Sequence, residues 1–261
     1  MCLLVLGWRC HPRYRLVLAA NRDEFHARPS APLGQWGDAP AIIGGRDLQA
    51  NGAWLAADRA GRVGVVTNFR EFGRSRRSAP SRGGLIPAYL SGDRAPADYF
   101  QSLETDAPGF AGFNLMLADA RSLWYGSNRA DAFARELGAG VYGLSNEFLD
   151  TPWPKLVRVR AGFRSLLDSR TAADPRALSA SLFDLLADRE PAAPETIPPG
   201  DLSPEWARKL SAPFVLDPAY GTRCSTILTI TADGMLTIIE RGFGAGGEQL
   251  SETERVLNVG A

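Results

Sequence analysis

The sequence predicts an α+β protein, organised as a layered α/β/β/α sandwich of antiparallel sheets. Strand-like segments stand at both ends of the chain, and helical segments lie between them. The strands come in hairpins rather than in strict βα alternation, which favours antiparallel sheets. The first hairpin is almost continuously apolar, so both of its faces must be covered by other layers.

The elements of the first half follow from turn signals and hydrophobic spacing. A first hairpin joins CLLVLGW to YRLVLAAN around Pro12. Short strands punctuated by glycine are predicted at AIIGG, GAWLAAD and RVGVVTNF. Helices follow at GGLIPAYLSGD and PADYFQSLE, then a second hairpin at FNLMLAD and SLWYGSN, and a further strand at GVYGLSN.

The second half contains two longer helices and a closing hairpin. PWPKLVRVRAGFRSLLDS and DPRALSASLFDLLAD carry apolar residues at helical spacing, with proline at their entrances. PAAPETIPPG is predicted to be a loop, and TRCSTILTI and MLTIIER form a hairpin around ADG. The composition of GAGGEQLSET predicts a flexible tail at about 243–261 of an otherwise single domain, 1–261.

Composition narrows the function classes. The chain has 261 residues, 45% of them apolar, and its 29 basic residues balance its 29 acidic ones. No global field therefore favours nucleic acid or an anionic membrane surface as a partner. The basic stretch RSRRSAPSR, at 74–82, is interpreted as a solvated surface rather than a phosphate site. The opening apolar run is too short to span a bilayer.

The three cysteines point to a reducing compartment. Cys2, Cys10 and Cys224 show neither metal-ligand spacing nor a CxxC motif, and their number is odd. We therefore expect a cytoplasmic protein without disulfides and without a metal site.

The position of Cys2, directly behind the initiator methionine, has chemical consequences. Once methionine is removed, Cys2 carries both a thiol and a free α-amine, which titrates near neutral pH and can serve as a general base. A nucleophile and its base are thus present in one residue. The alternative is that Cys2 is an ordinary buried core residue of the first strand.

The polar run NRDE, which ends the second strand, is the natural partner of Cys2. A turn centred on Pro12 and Arg13 pairs residues whose numbers sum to 25, which puts Cys2 opposite Asp23 on one face. This register requires a two-residue turn. In the alternative interpretation, NRDE is only a surface turn.

At these residues the sequence resembles a known family. MCLLVLGWRCHPRYRLVLAANRDEFHARPSAP, GGRDLQANGAWLAAD, GRVGVVTNFRE and YGTRCSTILTI are similar to the NRDE family, the group that includes the transport-and-Golgi-organisation proteins. That family resembles the cysteine branch of the N-terminal-nucleophile (Ntn) hydrolases, which contains penicillin V acylases and bile salt hydrolases. The resemblance implies the Ntn-hydrolase-like four-layer α/β/β/α sandwich.

The resemblance also implies roles for single residues, carried across one at a time. Cys2 falls where the branch has its nucleophile, and Asp23 where an aspartate binds the α-amine. Asn68 matches an asparagine of the oxyanion hole, and Asn146 one that contacts the same centre. Arg223 matches a late arginine beside the nucleophile.

Further residues are expected to line the substrate site. Because Arg22 is adjacent to Asp23, strand alternation predicts that the Arg22 side chain faces away. Arg46 and Trp54 belong either to a pocket border, as anion anchor and aromatic wall, or to a tight hairpin with a solvated Arg–Asp pair. The complete substrate-binding set is Asn21, Arg22, Glu24, Arg46, Trp54, Phe69 and Arg70.

The function implied is cleavage of a linear amide or related acyl bond through a thioester on Cys2, with no cofactor. The alternative is haem binding or haem trafficking on the same fold without hydrolysis, for which His11, His26 or Cys10 would supply a ligand. Activity as an enzyme, the acyl group and the oligomeric state are left open by the sequence.

Overall fold

The computed structural model describes residues 2–71 and 79–260. Most of the basic stretch 74–82 lies outside these residues. Within them, the chain forms two antiparallel sheets of six and seven strands, with helices packed on their outer faces.

The six-stranded sheet, sheet A, has the order β10-β1-β2-β11-β12-β13. Its strands are β1 (Cys2–His11), β2 (Tyr14–Phe25), β10 (Gly140–Leu144), β11 (Tyr220–Thr231), β12 (Met235–Phe243) and β13 (Gln249–Asn258). The seven-stranded sheet, sheet B, runs in order from β3 to β9. Its strands are β3 (Ser30–Gln35), β4 (Ile42–Asp47), β5 (Leu55–Asp58), β6 (Val63–Asn68), β7 (Phe113–Ala118), β8 (Leu123–Ser127) and β9 (Ala134–Leu137).

The described part of the chain contains five α-helices. They are α1 (Leu85–Leu90), α2 (Pro96–Leu103), α3 (Pro154–Leu167), α4 (Pro175–Leu186) and α5 (Pro204–Lys209). Proline stands in the first turn of α3 and α4, and the Asp174 side chain caps α4 by accepting from Arg176 N. The proline entrances predicted for these two helices are thus present.

Three apolar clusters separate the four layers. Leu4, Leu6 and Leu18 of sheet A meet residues such as Leu55 and Met116 of sheet B between the sheets. The opposite face of sheet A packs against α3 and α4, and the opposite face of sheet B against α1 and α2. The predicted α/β/β/α sandwich is confirmed, because β1 and β2 are indeed covered on both faces.

The predicted pairing of β1 with β2 is wrong by one residue at the site. His11 pairs with Tyr14, as a turn at Pro12 and Arg13 requires, but the register shifts between Trp8 and His11. Arg9 adopts a φ of 46° in this bulge. Beyond it Cys2 pairs with Arg22, so the arginine that was expected to face away shares the face of Cys2.

The structure also contains elements that the sequence did not predict: β3, β9, α5 and β13. In place of the flexible tail expected at 243–261, the glycines form a turn and the chain returns as an edge strand. Gly247 has a φ of 74° and its N–H donates to Gly244 O. Glycine composition marked a hairpin turn here, not disorder.

Candidate functional site

The Asn146 side chain joins the ends of two strands from different sheets. Its Oδ1 accepts a hydrogen bond from Cys2 N at 3.1 Å, and its Nδ2 donates to Asn68 O at 2.8 Å. Asn146 is only 4% exposed, so both bonds form away from water. Cys2, Asn68 and Asn146, which the family resemblance implies as site residues, are therefore brought together.

The segment that follows β10 fixes this arrangement through further hydrogen bonds. Ser145 Oγ donates to Cys2 O at 3.0 Å, and Thr67 Oγ1 donates to Ser145 O at 3.2 Å. Arg70 N donates to Asn146 O at 2.7 Å. The backbone of Cys2 is thus tied to sheet B by a short connection between the layers.

Arg22 faces the space between the sheets beside Cys2. Its guanidinium lies 4.3 Å from the centre of the Trp54 ring and pairs with Asp47 at 3.3 Å. Nη1 also donates to Ser30 Oγ at 3.1 Å. These contacts hold a buried cation on the same face as the thiol.

Asp23 lies on the other face of β2, toward α3. Its Oδ1 accepts from Thr222 Oγ1 at 2.8 Å, and the residue is 2% exposed. Burial raises the pKa of the Asp23 carboxyl, and the charge of Lys155 on α3 is the largest influence that lowers it. The predicted neighbour of Cys2 is therefore near it at the strand end, but not directly opposite it.

The charge state of Cys2 reflects the same neighbours. Burial raises the pKa of the Cys2 thiol above its ordinary value. The Asp23 carboxylate adds to the rise, whereas the Arg22 guanidinium opposes it because a nearby cation favours the thiolate. Arg22 is thus a side chain of β2 that favours the nucleophilic form of Cys2.

Arg223 occupies a bulge in the β2–β11 pairing, between Thr222 and Cys224. Its Nη1 donates to three carbonyl oxygens, those of Phe25, His26 and Arg28. In this arrangement Arg223 closes the loop that follows β2. Its predicted role beside the nucleophile stays a prediction.

Other predicted residues lie in separate interactions. Asn21 Nδ2 donates to Leu186 O and Pro213 O on the helical face. Glu24 accepts from Phe25 N, and Arg46 forms a two-pronged pair with Asp38 while lying over Trp36. The predicted Arg–Asp pair of the β4 hairpin therefore uses Asp38, and not the adjacent Asp47.

Phe69 and Arg70 continue the chain from Asn68 along the site. The Phe69 ring contacts Phe148 edge to face at 4.9 Å. The Arg70 guanidinium lies 5.0 Å from the Trp153 ring centre, and burial lowers its pKa. Both residues thus face the segment 145–153 that holds Cys2.

Small cavities lie on either side of the Cys2 strand end. One of about 10 Å³ is bordered by Cys2, Arg22 and Trp54, and the buried Trp54 Nε1 has no acceptor among the described residues. One of about 200 Å³ continues past Arg22 and Trp54 to Glu240. On the helical side, a cavity of about 40 Å³ is bordered by Ser145 and Lys155.

A larger groove lies outside the Lys155 cavity. It has a volume of about 620 Å³ and runs between α5 and the proline-rich loop at 191–202. The two spaces share the wall formed by 197–200, Leu202 and Ala207. A groove of this size is in the range of small-molecule sites.

Four residues of the site were missed by the sequence analysis. Asp47 holds Arg22, Ser145 and Thr222 hydrogen-bond Cys2 and Asp23, and Lys155 is buried beside Asp23. Lys155 had a visible signal, since it is one of two lysines in the whole chain. The hydroxyl residues carried no such signal.

The described residues contain no group of three or more His, Cys, Asp or Glu side chains arranged to hold a metal ion. His11 lies at the β1–β2 turn, where its Nδ1 accepts from Arg13 N at 3.2 Å. His26 Nε2 lies 3.1 Å from Asp217 O. Among the helices of the described segments, none is long and apolar enough to cross a membrane.

Comparisons with known proteins cover nearly the whole chain. A family model described as Transport and Golgi organisation 2 matches residues 1–245. The Transport and Golgi organization 2 homolog of Mus musculus is 33% identical over 259 residues, which cover 93% of each chain. The corresponding Homo sapiens homolog is 33% identical over 258 residues, with the same coverage.

A solved structure is similar in outline. The Caenorhabditis elegans N-acylethanolamine-hydrolyzing acid amidase ortholog matches with a TM-score of 0.44 and 12% sequence identity. The match covers 87% of this chain and 92% of that chain.

Proposed function

The chain belongs to the Transport and Golgi organisation 2 family, and from this premise we propose that Cys2 is a nucleophile that cleaves a linear amide or related acyl bond. The family membership predicted from the motifs is thereby confirmed. The hydrolytic activity, its nucleophile and its substrate are our proposal.

One observation carries the proposal: a single side-chain amide, that of Asn146, binds both Cys2 N and Asn68 O. A core cysteine needs no such bridge, since its backbone groups are satisfied by the sheet. Here the second residue of the chain is positioned against the end of β6, where polar side chains converge.

The proposed chemistry needs methionine removal, which turns Cys2 N into an amine. The Cys2 sulfur attacks the carbonyl carbon, and the α-amine passes the thiol proton to the leaving nitrogen as the C–N bond breaks. Asn68, exposed at the end of β6, and a backbone N–H stabilise the oxyanion. Water then attacks the thioester and releases the acid and the free thiol.

The first test is intact-mass analysis after brief, limiting exposure to iodoacetamide, with the labelled site mapped. Cys10 is the matched control, because it is an exposed thiol on the same strand. We expect loss of the methionine mass and labelling of Cys2 ahead of Cys10 at neutral pH. Burial alone makes the opposite prediction, since Cys2 is less exposed than Cys10.

The second test is a panel of N-acyl amides with a chromogenic amine as leaving group. Cys2→Ala must abolish release of the amine, whereas Cys10→Ala must not. A retained methionine, or no mass gain at Cys2 with any acyl donor, excludes the hydrolase.

Haem binding is the competing function, for which His11, His26 or Cys10 would supply the ligand. His11 is about 30 Å from Cys2 along β1, at roughly 3.3 Å per residue. His11 and His26 are absent from the linings of the described cavities. A haem titration that gives a Soret shift, undiminished in Cys2→Ala, would favour this alternative. For either function we propose a cytoplasmic setting, because all three cysteines are free.

A further inference from the structure

Lys155 differs from the other basic residues of the chain. It is one of two lysines among 29 basic residues, and it is 3% exposed. The other lysine, Lys209, is partly exposed and pairs with Glu205 and Asp217. All the other residues of these 29 are arginines. Position 155 thus carries a lysine, whose ammonium is compact and changes its pKa readily when buried.

The location of Lys155 is unfavourable for a cation. It lies in the first turn of α3, where the helix dipole disfavours positive charge, and that turn contains no acidic residue. Burial lowers the pKa of Lys155, because removal from water disfavours the charged ammonium relative to the neutral amine. The ammonium must therefore be stabilised by groups outside the helix.

Asp23 is the main group that stabilises the Lys155 ammonium. Its charge raises the pKa of Lys155 more than any other neighbour, and Lys155 in turn lowers that of Asp23. The Cys2 thiolate also favours the Lys155 ammonium. Lys155 borders the same cavity as Ser145, whose Oγ donates to Cys2 O, and the adjacent Leu156 belongs to the same buried cluster as Leu3. The first turn of α3 therefore lies at the strand ends that carry Cys2 and Asp23, and we call Lys155, Asp23 and Cys2 the cluster.

Further charged and titratable groups face the cluster from neighbouring elements. They are Arg22 and Glu24 on β2, Arg70 after β6, and Tyr220 on β11, whose hydroxyl donates to Asp23 O. Arg70 acts against the Lys155 charge. Arg22 acts with Lys155 in lowering the pKa of Asp23.

We propose that Lys155 is a positioning residue of the Cys2 centre, whose ammonium keeps the buried Asp23 side chain ionised. An ionised Asp23 is what can hold the α-ammonium of an N-terminal Cys2, so the inference rests on the proposed function. Without Lys155, the largest influence that opposes the burial of Asp23 is lost, and the pKa of the carboxyl rises further. The α-ammonium then has a weaker charged partner beside Asn146 Oδ1, which accepts from Cys2 N.

The direct test is a pH titration of Asp23 monitored by NMR on protein labelled with ¹³Cγ-aspartate. The Asp23 signal is assigned by its absence from the spectrum of the Asp23→Asn variant. In Lys155→Met we expect the Asp23 midpoint to rise by about one to three pH units. Lys155→Arg keeps the charge, so the Asp23 midpoint in this variant should lie much closer to the wild-type value than in Lys155→Met. Lys209→Met is the matched control and should leave the midpoint unchanged.

Linkage gives a second measurement that does not depend on the Lys155 variants folding. With ¹⁵N-lysine labelling only two side-chain signals exist, and Asp23→Asn should lower the Lys155 midpoint while leaving Lys209 in place.

An unmoved Asp23 midpoint in Lys155→Met, or an unmoved Lys155 midpoint in Asp23→Asn, overturns the role of Lys155. Failure of the proposed function is seen elsewhere, as a methionine that is retained or a Cys2 that never acquires an acyl group. The two failures are therefore distinguishable.

Discussion

Cys2 and Arg22 lie directly opposite each other in the β1–β2 ladder, with their side chains on the same face of sheet A. Asp47 and the Trp54 ring hold the guanidinium from sheet B. The Arg22 guanidinium, opposite the thiol in sheet A, is thus held in place by contacts from sheet B.

Removal of the Arg22 charge should make Cys2 less acidic. In Arg22→Met we expect the pH of half-maximal Cys2 alkylation to rise by about one unit, because the guanidinium now lowers the pKa of the thiol. Arg62→Met is a suitable control, since Arg62 also pairs with an aspartate and lies over an aromatic ring, away from Cys2. Equal alkylation profiles for Arg22→Met and the wild type would contradict this electrostatic role.

The Asn146 bridge should contribute to stability as well as to chemistry. Asn146→Ala removes two buried hydrogen bonds, and we expect the free energy of unfolding in urea to fall by about 2 kcal/mol. Cys2 labelling should also lose its preference over Cys10. Asn128→Ala also removes a bridging side-chain amide, which accepts from Phe113 N and donates to Ala107 O, with longer bonds to Phe110 O and Ala111 O. It should lower stability at least as much without changing the labelling preference.

Glu240 should make stability depend on pH. Burial raises the pKa of this carboxyl, although it accepts from Leu33 N. Because the folded pKa exceeds the unfolded one, the carboxyl does not destabilise the fold below the unfolded pKa. The destabilisation grows as the pH rises from the unfolded to the folded pKa and is complete above the folded pKa. Glu240→Gln should therefore gain stability relative to the wild type between pH 4 and pH 7, as urea unfolding at both pH values will show. A difference that does not change with pH would refute the assignment.

The exposed edge strand β13 should resist pairing with a second copy. An antiparallel, two-fold pairing centred on Thr253 puts Glu252 opposite Glu254 of the other chain, twice, and like charges directly opposite are unfavourable. We expect Glu254→Arg to turn both repulsions into attractions and to cause concentration-dependent association in sedimentation velocity. Glu254→Gln tests the milder change. A Glu254→Arg protein that sediments like the wild type at all concentrations would exclude this edge as a latent interface.

The sequence predicted the layers because its strongest signals are local. Apolar runs, prolines at helix entrances and the ADG turn each specify one element, and β1, α4 and the β11–β12 hairpin follow from them. The motifs of the family resemblance likewise located Cys2, Asn68 and Asn146, which the structure brings together.

What the sequence did not predict depends on contacts between distant segments. Lys155 and Thr222 reach Asp23 from α3 and β11, and no spacing along the chain indicates such a meeting. Strand β13 was missed because its residues are charged and mostly exposed, so its stability comes from pairing with β12 rather than from hydrophobic pattern. The site register failed because a bulge leaves no trace in strand propensity.

The bulge at Arg9 makes chain length itself a determinant of the chemistry at the far end of β1. Inserting one residue between Trp8 and Arg9, with the bulge kept, would change the residue opposite Cys2 from Arg22 to Asp23, a cation for an anion, with every side chain of the site unchanged in identity. An insertion in this part of β1 can therefore alter reactivity by itself. A sequence alignment that ignores a gap in this part of β1 would treat two such sites as identical. The charges around their thiols would nevertheless differ.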